Sequence, residues 1–481
     1  PSIVCERFWY DFFHKERQEN YEMISKSILN AVLAKALSTG ADFAEVFAER
    51  TLSKNISMID SKVSEITDSL LSGVGIRILK GTKSVYASTT DMSYSGLINC
   101  AAQVASALSG VPNGKSIHLT ETLFGDIHPI RIVPSSVPNA QKIELLKEGY
   151  FSAKNYHPEI SQVMGSFLDV DHNIMIANSD GLYTEDRQVR TRMSISAIAS
   201  KDGENQTGAC SPGRRMGLEM FDEISPKKIG EQAAKQAVTM LHADYCPAGK
   251  YPVAIENGFG GVIFHEACGH SLEATSVALG QSVFSNKLGL QIANPKVTAV
   301  DDGTIPNAWG SINVDDEGNP SRRNVLIENG ILKSYMIDKL GGRRMGMEAT
   351  GNCRRQSYAW EPTSRMTNTM ILAGQDKNED IIASMEYGLY AADMGGGSVN
   401  PITGEFNFSV KEGYMVRDGK ICEPVRGASL IGKGSEILMN IDMVGTDLAT
   451  GQGMCGSSSG SIPTDVGQPL LRVSSITVGG R

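Results

Sequence analysis

The stretch that most constrains this chain is the hexapeptide from His265 to His270, which reads His-Glu-Ala-Cys-Gly-His. It places two imidazoles, a carboxylate and a thiol within six residues, directly after an apolar segment. A hydrolytic metal site needs neutral nitrogen ligands, a base beside the bound water and an open coordination position. The sequence therefore predicts His265 and His270 as metal ligands and Glu266 as the catalytic base.

The spacing of the two histidines predicts an irregular helix. Residues five apart on an ideal α-helix point about 140° away from each other, so their side chains do not meet at one metal. A π-type bulge with roughly 4.4 residues per turn reduces that angle to about 50°. Gly269, just before the second histidine, is the residue least hindered in a distorted backbone. We therefore expect a bulge within the motif.

The residues alone leave the third ligand open. Cys268 and Glu273 are the local candidates, and Glu273 is better placed as a carboxylate that orients a ligand imidazole. The remote candidates are thiols: Cys455, in the sequence Gly-Met-Cys-Gly, and Cys353 and Cys422. Spacing does not choose between them.

Size and charge exclude some classes of protein. A chain of 481 residues is long enough for two or more domains. The formal net charge of −9 argues against a broad nucleic-acid-binding face. The eight cysteines lack paired spacing, which favours a reduced, cytoplasmic setting. No segment approaches the roughly 20 apolar residues of a membrane span, so no membrane association is expected.

Hydrophobic periodicity predicts an α+β protein of two domains, with mostly antiparallel sheets, flanking helices and the metal-binding helix at the start of the second domain. The expected organisation is an N-terminal extension (1–20), an N-terminal α+β domain (21–245) and a mostly-β C-terminal domain (246–481) that carries the histidine motif. Asp315–Gly318 is expected to form a hairpin turn, because a calcium loop needs regular acidic spacing. Helices are predicted over 24–37, 94–108, 140–155, 226–242 and near 379–389, and hairpin turns at 178–181 and 329–330.

Several motifs in the C-terminal half resemble those of one family. Besides the histidine motif, they are Asp301-Asp-Gly-Thr, Asp315-Asp-Glu-Gly, Arg365-Met-Thr-Asn-Thr, Gly404-Glu-Phe, Gly453-Met-Cys-Gly and Val466-Gly-Gln-Pro. The set resembles the TldD/PmbA metallopeptidases, formerly described as modulators of DNA gyrase, and specifically the TldD type. The resemblance covers nearly the whole chain after about residue 20.

The resemblance implies a zinc-dependent peptidase for unfolded or leader peptides, with Cys455 as the third ligand beside the two histidines. Iron is not excluded, because two imidazoles and a thiolate suit more than one divalent metal. The implied partner is a second copy of the chain or a metal-less sister subunit. The family pattern has Lys and Gln soon after the Cys, whereas here Gly-Ser-Ser-Ser-Gly-Ser follows, and this difference bears on contacts with substrate or transition state.

Four further residues are predicted to contact substrate. Arg365 and Asn368 are candidate donors to the developing oxyanion, and an ion pair is the alternative role for Arg365. Gly396 and Gly397 would let a peptide backbone approach a strand closely, unless they form only a flexible loop. The rival function is a non-catalytic, metal-containing regulatory or binding subunit, for which Glu266 would have no purpose.

Overall fold

The computed structural model describes residues 23–112, 114, 116–400 and 402–480. Its strands form two eight-stranded sheets, a six-stranded sheet and a two-stranded ribbon, and most pairings are antiparallel. The α+β class predicted from periodicity is confirmed. The predicted N-terminal extension lies outside the described residues. Among the described residues no helix is long and apolar enough to cross a membrane.

The N-terminal half is built on one sheet in the order β3-β2-β1-β5-β6-β4, with β7 and β8 also paired to β6. Parts of β5 and β6 alternate buried and less buried residues, whereas the first seven residues of β1 are all buried, and helices pack on one face of the sheet. The bounds are α1 Lys26–Ala36, β1 Phe43–Ile59, β2 Lys62–Lys80, β3 Lys83–Thr89, α2 Tyr94–Ser106, β4 Thr120–Glu121, α3 Asn139–Lys154, β5 Ile160–Asn178, β6 Leu182–Lys201, β7 Glu204–Cys210, β8 Gly213–Arg214 and α4 Pro226–Leu241.

In the C-terminal half, β17, β10, β24, β20 and β18 pair in sequence, and β18 pairs back to β17 to close a ring. The six-stranded sheet has the order β13-β12-β11-β16-β23-β22, which leaves β22 at one edge. The strands are β9 Asp244–Tyr245, β10 Gly249–Ile255, β11 Ala299–Asp302, β12 Arg323–Glu328, β13 Ile331–Leu332, β14 Cys353–Arg354, β15 Thr363–Ser364, β16 Asn368–Ile371, β17 Tyr387–Val399, β18 Glu405–Arg417, β19 Lys420–Arg426, β20 Ser429–Lys433, β21 Ile441–Val444, β22 Ala449–Ser457, β23 Gly460–Gln468 and β24 Leu471–Gly479.

The helices of this half are short. The one over Val262–Ala267 lies between the ring and the six-stranded sheet. They are α5 Val262–Ala267, α6 Ala274–Val277, α7 Lys339–Met345, α8 Asn378–Ala383 and α9 Gly434–Asn440. The four helices predicted in the N-terminal half match α1 to α4 within two residues at each end. The helix predicted near 379–389 is wrong beyond Ala383, because Tyr387 already begins β17, whose bonds to β10 and β18 replace the helical ones.

The two halves meet over a buried group of charges. Arg77 on β2 donates to Glu45 on β1 and to Glu317 from the C-terminal half, and Arg355 donates to the other oxygen of Glu45 at 2.9 Å. All four side chains are at most 1 % exposed. Glu317 belongs to the turn predicted at 315–318, which is flanked by an antiparallel bridge between Val314 and Pro320.

The chain joins a sheet of the C-terminal half two residues before the predicted domain boundary. Asp244 and Tyr245 form β9, which pairs in parallel with β19, the strand next to β18 in the same sheet. The division at 245/246 remains a prediction, since the sheet pairing begins two residues before it.

Candidate metal centre

Three side chains predicted as ligands converge on one point. Nε2 of His265 and Nε2 of His270 each lie 3.2 Å from Sγ of Cys455. The two imidazole rings are nearly perpendicular, with centroids 5.1 Å apart. Two nitrogens and one sulfur at this separation are a donor set that divalent zinc accepts, with a fourth position left over. The residues present therefore fit a divalent metal.

The helix that carries the histidines is irregular, but not in the way we expected. The α-helix ends at Ala267, Cys268 leaves helical geometry with φ of −129°, and a 3₁₀ turn follows over Gly269–Leu272. The backbone bonds around the break run to the fourth or third preceding carbonyl, as from Cys268 to Phe264. The predicted π-bulge is therefore wrong: a break followed by a tighter turn brings the two histidines together.

Gly269 serves a different purpose from the one predicted. Its φ is not positive, but a Cβ at this position would lie 2.3 Å from Sδ of Met366. The glycine thus lets the 3₁₀ turn sit against the segment that leads into β16, and no unusual backbone conformation requires it.

The two imidazoles differ in their outer contacts. Nδ1 of His270 lies 3.2 Å from Oε1 of Glu273, whereas Nδ1 of His265 is buried without a hydrogen-bond partner among the described residues. A carboxylate beside Nδ1 favours the tautomer that leaves Nε2 free to bind a metal. Glu273 is therefore placed as the orienting carboxylate that the sequence favoured.

Glu266 borders the side of the centre that solvent reaches. Its Oε2 lies 3.8 Å from Nε2 of His270, and its side chain is 21 % exposed, against 11 % for His270. Cys455 and His265 are only 5 % and 3 % exposed. A water or substrate would therefore approach the centre past Glu266.

The charges of the centre act on one another. Burial raises the pKa of the Cys455 thiol, but the charges and hydrogen bonds of the two imidazoles outweigh it and lower that pKa well below its ordinary value. Burial lowers the pKa of His270, yet Glu273 and Cys455 raise it well above its ordinary value. Burial also raises the pKa of Glu266. Even without a metal, the surroundings therefore favour a thiolate beside the imidazoles.

The glycine-rich turn before α5 explains why residues 190 positions apart in the chain meet. A Cβ at Gly261 would lie 2.5 Å from backbone atoms of Gly467 on β23. Only a glycine allows the start of α5 to lie directly on the β22–β23 hairpin, and Cys455 projects from that hairpin. The close approach of two backbones thus sets the distance between the histidines and the thiol.

We expect Gly261→Ala to lower the free energy of unfolding by about 1–3 kcal/mol, because the backbone of β23 has no rotamer that relieves the overlap. The measurement is urea-induced unfolding. Gly396→Ala is the matched control, since a Cβ there meets nothing within 4 Å, and it should change stability by no more than about 0.5 kcal/mol. Equal stability of both variants would contradict the packing described for α5.

Other candidates lie away from the open side of the centre. Cys268 is fully buried in the core, and burial raises the pKa of its thiol. Arg365 and Asn368 are also fully buried. Asn368 donates to the Asp302 carbonyl at 2.5 Å and to Ser311 at 2.7 Å. These placements argue against direct substrate contact by Arg365 or Asn368, and their substrate role stays a prediction.

The two predicted glycines lie on β17, where its pairing with β18 is irregular. Gly396 is exposed, whereas a Cβ at Gly397 would lie 2.2 Å from the Phe408 ring. The second glycine is therefore explained by strand packing, and a substrate role for the pair remains a prediction.

Comparisons with known proteins match three segments of the chain to one family. Models of the PmbA/TldA metallopeptidase family match residues 44–108 as domain 1, 132–241 as the central domain and 248–480 as the C-terminal domain. A TldD homologue from Haemophilus influenzae, named a metalloprotease, is 39% identical over 91% of this chain and 93% of its own length. The chain belongs to this metallopeptidase family.

An archaeal relative agrees with that assignment, and two solved structures share the fold. A chain named metalloprotease from Methanothermobacter thermautotrophicus is 32% identical over 91% of this chain and 96% of its own. A chain from Thermotoga maritima, described as a modulator of DNA gyrase, shares the fold with a TM-score of 0.76 at 22% identity, covering 94% of this chain and all of its own. TldE from Thermococcus kodakarensis has a TM-score of 0.75 at 19% identity, over 94% and 100% of the two chains.

A second group of potential ligand atoms lies in the buried charges between the two halves. It consists of Glu317, Asp338 and Cys353. The oxygens of Glu317 already accept from Arg77 and from the Lys339 amide, and Asp338 accepts from the third residue beyond it to cap α7. An arginine already supplies the positive charge there, so this group belongs to the contact between the halves.

Proposed function

We propose that this chain is a zinc-dependent peptidase that hydrolyses unfolded or leader peptides. The observation that carries the proposal is the convergence of two imidazole nitrogens and a buried thiol, with a partly exposed carboxylate at the open side. His265, His270 and Cys455 would hold the metal. Zinc is favoured by this donor set, and iron remains an alternative.

Glu266 would act as base and then as acid. A bound zinc ion supplies Lewis acidity, which lowers the pKa of a coordinated water to about 7. Oε2 of Glu266 takes one proton from the attacking water, whose oxygen forms the new bond to the peptide carbonyl carbon. The same carboxyl group then gives that proton to the departing amine nitrogen as the C–N bond breaks.

The substrate backbone would pair with the exposed edge of β22. A two-residue turn follows Ser457, so in the antiparallel ladder Ser457, Cys455 and every second residue before them bond to β23. The alternate residues Gln452, Met454 and Gly456 direct their N–H and C=O groups outward, where the described part of the chain adds no further strand to the sheet. An extended peptide added there would lie next to Cys455, with specificity from backbone geometry and little from side chains.

This pairing gives a period-two prediction for the substrate. N-methylation of a peptide amide that faces β22 removes one donor and should raise KM about 3- to 10-fold, from the usual net value of a hydrogen bond. Methylation of the neighbouring amides, which face away, should leave KM close to that of the unmodified peptide. A steady-state scan of single N-methyl substitutions would show this alternation, and a uniform response at every position would contradict strand addition.

The second candidate is a non-catalytic subunit that binds metal and regulates a partner. The gyrase-modulator name of the Thermotoga maritima structure favours it.

As partners we propose an unfolded peptide together with a second copy of the chain or a metal-less sister subunit, and no direct contact with nucleic acid.

Turnover separates the two candidates. The zinc-loaded protein is incubated with an unstructured peptide, alone and with the proposed partner, and products are followed by mass spectrometry. New peptide termini that disappear with a chelator and return with zinc support the peptidase. Tight metal binding without cleavage under either condition would favour the regulatory subunit.

A further inference from the structure

Arg365 is a fully buried guanidinium in contact with the strand that bears Cys455. Its Nη2 donates to the main-chain carbonyl of Cys455 at 2.5 Å. Its Nη1 donates to Oγ of Ser459 and to the carbonyl of Gly460, both at 2.9 Å. One side chain thus holds the thiol-bearing residue and the turn that ends its strand.

The third nitrogen of the same group faces the histidine side of the centre. Nε lies 3.8 Å from Oε1 of Glu273, and that oxygen is 3.2 Å from Nδ1 of His270. Nε has no hydrogen-bond partner among the described residues. The guanidinium therefore lies between the strand that presents the sulfur and the carboxylate that orients one imidazole.

Shape as well as charge matters in this arrangement. A buried guanidinium is strongly unfavourable unless its N–H groups are satisfied, and here three acceptors lie along one planar fork. Lysine keeps the charge, but its single ammonium cannot reach the Cys455 carbonyl, the turn and the side of Glu273 together. The fork is thus suited to fixing the distance between two parts of the chain.

We propose that Arg365 is a positioning residue that sets the separation of Cys455 from His270 and thereby the affinity and ligand geometry of the metal centre. The inference rests on the proposed function, since it assumes that these side chains bind a metal. Arg365 acts on the centre through Cys455 and Glu273, and it does not contact substrate.

The test compares Arg365→Lys with Arg354→Lys. Arg354 is a matched control because it is also buried and donates to two main-chain carbonyls, those of Met366 at 2.8 Å and Pro463 at 2.7 Å. Neither carbonyl belongs to Cys455 or to the turn that follows Ser457. Zinc dissociation constants come from competition with a chromogenic chelator. Cobalt-substituted protein reports the thiolate-to-metal charge-transfer band and the ligand-field bands.

We expect Arg365→Lys to weaken zinc binding about 10- to 100-fold, the usual effect of removing a group that supports a ligand, and to shift the cobalt bands. Arg354→Lys should resemble the wild type in both. Unchanged affinity and spectrum in Arg365→Lys, or an equal loss in both variants, would overturn the inference.

A second variant covers the case in which Arg365→Lys does not fold. Ser459→Ala removes one of the acceptors of Arg365 without burying an unpaired charge, and it should still shift the cobalt bands; an unshifted spectrum overturns the inference. Wild-type protein that binds no cobalt or zinc would instead refute the proposed metal centre itself, so the two failures are distinguishable.

Discussion

Glu266→Gln should keep its zinc and lose peptide cleavage, with kcat/KM lower by a factor of about 10²–10⁴, the usual contribution of general acid–base catalysis. The amide has nearly the same shape as the carboxylate, but it cannot take a proton from the attacking water. The side chain is 21 % exposed at the open side of the centre, so its loss leaves the ligands themselves in place. The measurement pairs steady-state cleavage of an unstructured peptide with elemental analysis of the same protein.

Glu256→Gln is a matched control. Glu256 follows β10 and accepts from the Tyr390 hydroxyl, and it is not in the group of converging ligand atoms. Activity close to wild type is expected for this variant. If Glu266→Gln turned over as fast as the control, another group would have to be the base.

Arg77→Met should lower the free energy of unfolding by about 3–5 kcal/mol, because it leaves Glu317 as a buried carboxylate without a charged partner and Glu45 with Arg355 alone. The methionine fills much of the same space, so loss of the ion pairs dominates the effect. Chemical unfolding monitored by circular dichroism measures this change in free energy. Both halves should be destabilised, because Arg77 pairs with Glu45 of the N-terminal half and with Glu317 of the C-terminal half.

Arg343→Met tests the same contact between the halves at its surface. Arg343 donates to Asp42 at 2.5 Å, with side chains 29 % and 48 % exposed. An exposed pair of this kind contributes roughly 0–1 kcal/mol. Equal effects of the two substitutions would show that burial does not decide the strength of these pairs.

Local patterns predicted the elements of the N-terminal half well, because long amphipathic helices and alternating strands carry their burial pattern in the sequence. Val189, Thr191, Met193 and Ile195 alternate as expected on β6, and α4 spans Pro226–Leu241. The short elements of the C-terminal half are harder, since α8 has six residues and a strand follows within four.

The histidine motif predicted a metal site, but the backbone conformation of the motif was not predictable. Whether the chain bulges or breaks at Cys268 depends on how closely Gly261 approaches Gly467 and Gly269 approaches Met366. Those contacts join segments far apart in sequence, and no local periodicity contains them.

The third ligand and the role of Arg365 were undetermined for the same reason. Cys455 was one of several thiols until the family resemblance singled it out, and the fold now brings its sulfur to both imidazoles. Arg365 was expected near the reaction because of its charge. Arg365 is fully buried, so it lies away from the solvent-exposed side of the centre, where Glu266 is found.

The most direct test of the account is bound metal by elemental analysis on the wild type and on Cys455→Ala, both purified under zinc-replete conditions. We expect one equivalent of zinc in the wild type and a large loss in Cys455→Ala, with the apo forms folded alike by circular dichroism. Zinc retained in full without the Cys455 sulfur, or no zinc in the wild type, would contradict it.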